Sequence, residues 1–180
     1  MPMLPSSATF HVLVFAALAI MARLASLVVS KRHEARLRAA GAVEYDSGTT
    51  RLLALLHTAF YLCGMAEALW KQAPVDTVTV VGMVLWLLSM AALVAVVREL
   101  KGLWTVKVLI SSHHELKRGS LFRWIRHPNY FLNLLPELFG YALAMHAWLT
   151  LIVLMPLYGL VLARRIRAEE EALRHTFPEY

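Results

Sequence analysis

The stretch TVTVVGMVLWLLSMAALVAVV, Thr77–Val97, contains no charged side chain along its whole length. A helix needs about 20 mostly apolar residues to cross the hydrocarbon core of a bilayer, so this stretch predicts a membrane-spanning helix. Four other apolar segments come near that length: Phe10–Ser30, Leu52–Trp70, Tyr130–Met145 and Ala147–Ala163. We therefore predict an all-α, polytopic membrane protein with about five transmembrane helices.

The length and composition agree with a single membrane domain. The chain has 180 residues, which predicts one domain over residues 1–180, and 59% of them are apolar. The formal net charge is +6, but the basic residues flank the apolar segments and do not form a stripe on a polar domain. We therefore expect no nucleic acid partner and instead predict contact with anionic membrane lipids.

Lysine and arginine are distributed unequally between the two sets of loops. Nearly all of them lie between helices one and two, between helices three and four, and after helix five, whereas the opposite loops contain Lys71 and little else. Cytoplasmic loops of membrane proteins carry the excess of basic residues. The pattern predicts an N-terminus outside, a C-terminus in the cytoplasm, and every polar cluster at the cytoplasmic face.

The connections between helices are short or marked by special residues. Short connectors join helix two to three and helix four to five, which predicts two antiparallel hairpins. Pro136 and Pro156 are expected to kink helices four and five. Lys31–Gly41 is basic with interleaved apolar residues, which fits either an interfacial helix or a solvated extension of helix one. Ala40–Thr50 is rich in glycine, aspartate and serine, and predicts a loop.

The polar segment RHPNY, residues 126–130, stands directly before the fourth apolar segment. Pro128 suits the first turn of a helix, so Arg126 and His127 are expected beside its free N–H groups, where an anion can be held. Glu137 follows inside the apolar segment, about 13 Å deeper at 1.5 Å per residue. Because an ionisable residue inside a membrane is a candidate functional residue, Glu137 is singled out as one.

Two further polar regions belong to the same predicted face. Val106–Trp124 is too polar to span a membrane and too apolar to be a plain linker. In Arg164–Leu173, helix five leaves the bilayer and becomes strongly charged, with Glu169 and Glu170 within about a turn of preceding arginines. A cytoplasmic polar ligand could meet these regions and RHPNY together.

Three histidines and a glutamate outside these regions carry weaker signals. His113 and His114 are adjacent, so they point in different directions, and no cysteine or aspartate cluster accompanies them; no metal is expected. His57 and Glu67 lie nearly opposite each other around helix two. This arrangement favours interhelical hydrogen bonds over a catalytic pair.

Two separate elements together resemble the isoprenylcysteine carboxyl methyltransferase family. They are Gly119 followed by Arg126–His127–Pro128–Asn129–Tyr130, and a C-terminal part with Arg165, the doublet Glu169–Glu170 and the end FPEY. Related phospholipid N-methyltransferases share both elements. The resemblance implies a small integral membrane enzyme that uses S-adenosylmethionine, with a cofactor pocket near the cytoplasmic face formed by about residues 104–180.

The resemblance also implies which residues contact the cofactor, when the family motifs are carried onto the matching positions. These are His114, Glu115, Leu116, Lys117 and Phe122, then His127, Pro128, Asn129 and Tyr130, and finally Glu169 and Glu170. Phe122 stands where a tyrosine is common in the family. An arginine at the exit of the last helix handles the substrate in the family, and Arg164 is nearest here. Arg164, Glu137 and His127 are the predicted catalytic residues.

The implied reaction transfers a methyl group to a carboxyl or hydroxyl oxygen of a lipid-like acceptor, of the isoprenylcysteine or the alkylpyrone and alkylresorcinol type. The N-terminal half resembles bacterial members encoded near polyketide synthases of the chalcone-synthase type, which implies a bacterial inner membrane. Two other classes stay open. One is an NADPH-dependent membrane reductase of the sterol type, which shares a segment similar to RHPNY, and the other is a non-enzymatic membrane scaffold.

Overall fold

The computed structural model describes residues 7–110 and 125–176. Its helices are α1 (Ser7–Ala39), α2 (Ser47–Trp70), α3 (Thr77–Glu99), α4 (Leu135–Ala144) and α5 (Trp148–Thr176), and the π-helical segment Asn129–Leu134 runs directly into α4. Among the described residues, the helices long and apolar enough to cross a membrane are α1, α2, α3 and α5. The predicted all-α polytopic membrane fold is confirmed, with α4 and its π-helical segment as a shorter fifth apolar helix.

The most extensive helix packing joins α3 to α4. A Cβ atom added at Gly140 would lie 2.7 Å from the backbone nitrogen of Trp86, and one added at Gly82 would lie 2.7 Å from the carbonyl oxygen of Gly140. The two backbones therefore touch where small residues face each other, which is the usual way for helices to associate within a membrane.

The helix pairing differs from the two hairpins that the short connectors predict. The connectors are short, since α3 begins seven residues after the end of α2 and α5 begins four residues after the end of α4. However, α2 packs mainly against α5, and α3 packs mainly against α4, so the prediction of a packed α2–α3 hairpin was wrong. An aromatic cluster also joins α1 and α2 to α4. Tyr61 of α2 and Phe15 of α1 pack their rings against Tyr141 of α4, with ring centroids 4.3 Å and 5.8 Å apart.

The π-helical segment accommodates Pro136. The backbone N–H of Leu135 donates to the carbonyl oxygen of Tyr130, a bond across five residues that defines this type of helix. Pro136 then lies in the first turn of α4, where its missing N–H leaves no hydrogen bond of that helix broken. The irregularity that Pro136 predicts is therefore a change of helix type, whereas Pro156 lies inside α5, which remains helical through it.

A two-stranded antiparallel sheet was missed by the sequence analysis. Strand β1 (Val43–Tyr45) pairs with strand β2 (Val108–Ile110), and α1 continues unbroken to Ala39, so Lys31–Gly41 is mostly an extension of helix one. Lys107 stands just before β2, and its Nζ donates to Glu34 of α1 at 2.7 Å and to Glu44 of β1 at 3.2 Å. The Glu34 carboxylate raises the pKa of Lys107. Lys107 therefore links the two short strands to α1 through ion pairs. Such contacts between distant residues do not appear in the alternating sequence pattern that predicts strands.

Glu67 joins α2 to α5 at the opposite end of the bundle. Its carboxylate accepts hydrogen bonds from the backbone N–H groups of Leu149 and Thr150 at 2.9 Å and 2.8 Å, and so caps the start of α5. His57, ten residues before Glu67 in α2, approaches the hydroxyl of Tyr158 in α5 at 3.4 Å. The prediction that His57 and Glu67 form interhelical hydrogen bonds is confirmed.

Candidate active site

A polar cavity of about 180 Å³ lies at the end of the bundle where the π-helical segment begins and α5 becomes charged. Its wall includes RHPNY, the segment before β2, and one face of α5. The charged and polar side chains in this wall are Trp104, Thr105, Lys107, Arg126, His127, Asn129, Tyr130, Arg165 and Glu169. Both signs of charge therefore border the cavity, so it suits a ligand that carries a cation and an anion.

His127 connects RHPNY to α5. Its Nε2 lies 3.2 Å from Oε1 of Glu170, and the His127 residue is only 9% exposed. The His127 ring stacks on the ring of Tyr130 with centroids 5.6 Å apart. Arg174 approaches the other oxygen of Glu170 at 3.6 Å. The two elements that the sequence predicts to form one site are in direct contact here.

Tyr130 and Asn129 make two further contacts across the cavity. The Tyr130 hydroxyl donates to Oε2 of Glu169 at 2.6 Å. Nε1 of Trp104, in the segment before β2, donates to Oδ1 of Asn129 at 3.3 Å. Both residues of the glutamate doublet thus pair with aromatic side chains from RHPNY. These hydrogen bonds fix the position of α5 relative to the π-helical segment.

A larger, mostly apolar groove of about 390 Å³ lies beside the polar cavity. It runs between α1 and α2, and apolar side chains line much of it: Ile20, Leu24, Leu27, Leu53, Ala54 and Leu62. Leu24 and Leu62 are themselves more than half exposed on the outside of the bundle. In a membrane, these exposed side chains face lipid, so the groove is accessible to an apolar chain from the bilayer.

The polar cavity and the apolar groove share one wall. Five residues line both: Trp104, Thr105, Asn129, Tyr130 and Arg165. Arg165 is only 4% exposed, donates to the carbonyl oxygen of Val106 at 2.8 Å, and also donates to the hydroxyl of Thr50. Its Nε has no hydrogen-bond partner, and within the described ranges 7–110 and 125–176 Arg165 forms no ion pair. Arg165 is therefore a buried cation between the two spaces, and no carboxylate of the described residues pairs with it.

Comparison with known proteins identifies the family. The sequence profile of the isoprenylcysteine carboxyl methyltransferase (ICMT) family matches residues 80–175, which is more than half of the chain. The chain belongs to the ICMT family. As a member of this family, it is an integral membrane methyltransferase.

Two relatives of this ICMT family member come from bacteria. An uncharacterized protein of Haemophilus influenzae is 41% identical over 157 residues, which cover 87% of this chain and 91% of that protein. The uncharacterized protein YpbQ of Bacillus subtilis is 26% identical over 166 residues, which cover 88% of this chain and 94% of YpbQ. No solved structure matches the chain.

The matched ICMT region contains the residues around the polar cavity that the sequence singled out. His127, Pro128, Asn129, Tyr130 and Glu169 all line that cavity, and Glu170 contacts His127. His114, Glu115, Leu116, Lys117 and Phe122 lie outside the described residues, as does Gly119 of the family motif.

Two of the three predicted catalytic residues lie away from both spaces. Arg164 is exposed and lines neither the polar cavity nor the apolar groove, whereas the next residue, Arg165, lines both. Glu137 is fully buried and also lines neither space. The rotation of α5 about its axis turns Arg165 and not Arg164 toward the two spaces. The sequence alone does not show which of the two arginines faces inward.

Glu137 is held in a network that the sequence analysis missed. Nε of Arg23 donates to Oε1 of Glu137 at 2.5 Å, and a second nitrogen of Arg23 contacts Oε2. The Tyr61 hydroxyl donates to Oε1 at 2.5 Å, and Nδ2 of Asn133 donates to Oε2 at 3.4 Å. A signal was available, because two opposite charges inside separate apolar segments are expected to pair.

Proposed function

We propose that this ICMT family member transfers a methyl group from S-adenosylmethionine to a carboxyl or hydroxyl oxygen of a lipid-like acceptor. The observation that carries the proposal is the wall of five residues shared by a charged cavity and an apolar groove. A polar methyl donor and an apolar acceptor need separate environments that meet at one point, and the shared wall supplies that point. Holding the two reactants in line accounts for much of the rate of such a reaction.

The charges of the polar cavity fit the methyl donor. S-adenosylmethionine carries an ammonium, a carboxylate and a sulfonium whose methyl group is open to attack by an oxygen. Glu170, part-buried beside His127, is suited to the ammonium, and Arg126 is suited to the carboxylate. RHPNY and the glutamate doublet are therefore assigned to the cofactor. His114, Glu115, Leu116, Lys117 and Phe122 remain assigned to it by family resemblance.

Arg165 is the residue best placed to hold the acceptor oxygen. It is buried in the shared wall, and its unpartnered Nε can bind a carboxylate or an ionised hydroxyl. We therefore transfer the substrate-handling role from Arg164 to Arg165. Such an acceptor needs no strong base when its oxygen is already ionised.

Glu137 and His127 take different roles in this proposal. Glu137 touches Arg23 and Tyr61, which line the groove, so it acts through them and does not reach the acceptor. His127 lines the polar cavity and is the remaining candidate base for a neutral hydroxyl. A carboxylate acceptor makes that base unnecessary.

The site is proposed to open to the cytoplasm of a bacterium. Both relatives are bacterial, and two basic residues of the loop that follows α3, Lys107 and Arg126, line the polar cavity. The corresponding orientation in the inner membrane has the N-terminus outside. Intracellular S-adenosylmethionine would then reach the cavity directly from water, while the acceptor enters from the bilayer.

The test is methyl transfer by the purified protein in detergent. Isotope-labelled S-adenosylmethionine is incubated with a bacterial lipid extract, and products are identified by mass spectrometry. We expect a labelled methyl ester or ether in the lipid fraction, and binding of S-adenosylhomocysteine by calorimetry. Folded protein that binds neither the cofactor nor its demethylated product would contradict the proposal. Stabilisation by NADPH alone would favour the reductase class.

A further inference from the structure

The apolar groove contains polar side chains at two levels. On α2 the two levels are marked by Thr50 and His57, and on α5 by Arg165 and Tyr158. Each pair is seven residues apart, which is about 10 Å along a helix axis at 1.5 Å per residue. The first level borders the polar cavity through Arg165. The second lies deeper between the helices and lines the groove away from the polar cavity.

The deeper level consists of four side chains that line the groove: Arg23, His57, Tyr61 and Tyr158. We call these four the deep subsite. Arg23 and Tyr61 donate to Glu137, which lies behind them. Since a guanidinium carries five N–H donors, Glu137 does not use all of those on Arg23. Buried Nε2 of His57 lies 3.5 Å from Oε1 of Glu137 without making a hydrogen bond to it, and the Tyr158 hydroxyl lies at a long 3.4 Å from Nδ1 of His57.

Anchoring of α1 to the bundle explains only part of this arrangement. The Arg23–Glu137 pair does join α1 to α4. A buried ion pair, however, stabilises a protein no better than apolar side chains of similar volume. Anchoring also gives no reason for all four side chains to border a groove of about 390 Å³. Unused donors in apolar surroundings indicate a ligand that supplies acceptors for them.

We propose that the deep subsite binds a hydrogen-bond-accepting oxygen of the methyl acceptor, separate from the oxygen that is methylated. This inference rests on the proposed function and defines its substrate class. The acceptor is an amphiphile with at least two oxygen functions. One oxygen lies beside Arg165, at the wall shared with the polar cavity, and the second lies on the tail side of it, where the donors of the deep subsite are found.

The test uses pairs of acceptors that differ by a single oxygen. For hydroxyl acceptors the pair is 4-pentadecylphenol with and without a hydroxyl on the fourth carbon of its alkyl chain, and for carboxyl acceptors it is hexadecanoic acid with and without a hydroxyl on its ninth carbon. In both pairs the added oxygen lies about 10 Å from the reacting oxygen, which is the spacing of the two levels. We expect the two-oxygen compound of the active pair to show a KM lower by about tenfold, the effect of one good hydrogen bond, with a similar kcat.

Variants separate the deep subsite from general stability. Tyr158→Phe removes one hydroxyl that lines the groove, and it should reduce the KM ratio of the pair toward one while the affinity for S-adenosylhomocysteine stays the same. The matched control is Tyr141→Phe. Tyr141 is also buried, but its hydroxyl donates to the backbone of Tyr61 and the residue does not line the groove. His57→Asn serves as a second variant if Tyr158→Phe does not fold.

The outcomes distinguish the inference from the function on which it rests. Equal KM values for both members of a methylated pair would overturn the deep subsite and leave the methyltransferase proposal standing. A ratio that Tyr141→Phe reduces as much as Tyr158→Phe would also overturn it. No methylation of any of the four compounds by protein that is folded and binds S-adenosylhomocysteine would contradict an oxygen-methylating function, and the inference with it.

Discussion

Arg23 of α1 and Glu137 of α4 form an ion pair inside the apolar part of the bundle, although 114 residues separate them in the sequence. Each charge alone would be costly at this depth. Together the two charges compensate each other, and Tyr61 and Asn133 donate further hydrogen bonds to the Glu137 carboxylate. The pair therefore connects the first apolar helix to the region that the ICMT family profile matches.

Breaking this pair on one side should cost more stability than removing it completely. Glu137→Leu leaves Arg23 as an uncompensated buried charge, and we expect a loss of about 3–5 kcal/mol in unfolding free energy. The double variant Arg23→Leu/Glu137→Leu should recover part of this loss. Thermal unfolding in detergent measures both. A double variant as unstable as the sum of the two single variants would show that the charges do not compensate each other.

The contact between α3 and α4 should tolerate no added methyl group. Gly140→Ala places a Cβ 2.7 Å from the backbone of Trp86, so the helices must separate, and we expect a loss of about 1–3 kcal/mol. Gly159→Ala in α5 is the matched control, since nothing lies within 4 Å of its added Cβ. That control should be neutral or slightly stabilising, because alanine is the better helix former. Equal melting temperatures for the two variants would refute the close approach.

Glu170 should contribute to cofactor binding through its charge. Glu170→Gln removes a carboxylate beside His127, and we expect the Kd for S-adenosylmethionine to rise by at least about tenfold, the usual effect of one hydrogen bond to a charged group. Glu171→Gln, at an exposed position of the same helix, is the control and should bind normally. Calorimetry on both variants gives the comparison. An unchanged Kd for Glu170→Gln would remove Glu170 from the cofactor site.

The two neighbouring arginines of α5 should respond differently to the same substitution. Arg165→Lys shortens a buried side chain of the shared wall and removes its forked donors, so we expect kcat/KM for the acceptor to fall by about tenfold or more. Arg164→Lys changes an exposed side chain and should leave the activity within about twofold, as surface substitutions usually do. The reverse result would return the substrate role to Arg164.

Asp76 should make the stability pH-dependent at acid pH. It begins α3, and the hydrogen bond from the Thr79 backbone N–H lowers the pKa of its carboxyl below the ordinary 3.8. A lowered folded-state pKa stabilises the protein above the ordinary value, and this stabilisation is lost as the pH falls through the folded-state pKa. We expect the melting-temperature difference between the wild-type protein and Asp76→Ala to shrink below about pH 4. A difference that stays constant from pH 6 to 3 would contradict this role of the charge.

Much of the candidate site could be predicted from the sequence because its parts are local. RHPNY and the glutamate doublet each stand directly beside an apolar segment, and the segment order places both at the same end of the bundle. The contact between His127 and Glu170 agrees with that placement. The pairing of β1 with β2 was not predictable in this way, since each strand has three residues and depends on Lys107 reaching Glu34 and Glu44.

The sequence by itself determined the membrane class, the approximate number of helices and the family, because apolar length and short motifs are properties of contiguous residues. Only the tertiary structure decided that α2 packs on α5, that Arg165 and not Arg164 lines the groove, and that Glu137 faces Arg23. The physical reason is the rotation of each helix about its axis. One residue turns a side chain by about 100°, and which direction faces the core depends on the partner helices that pack against it.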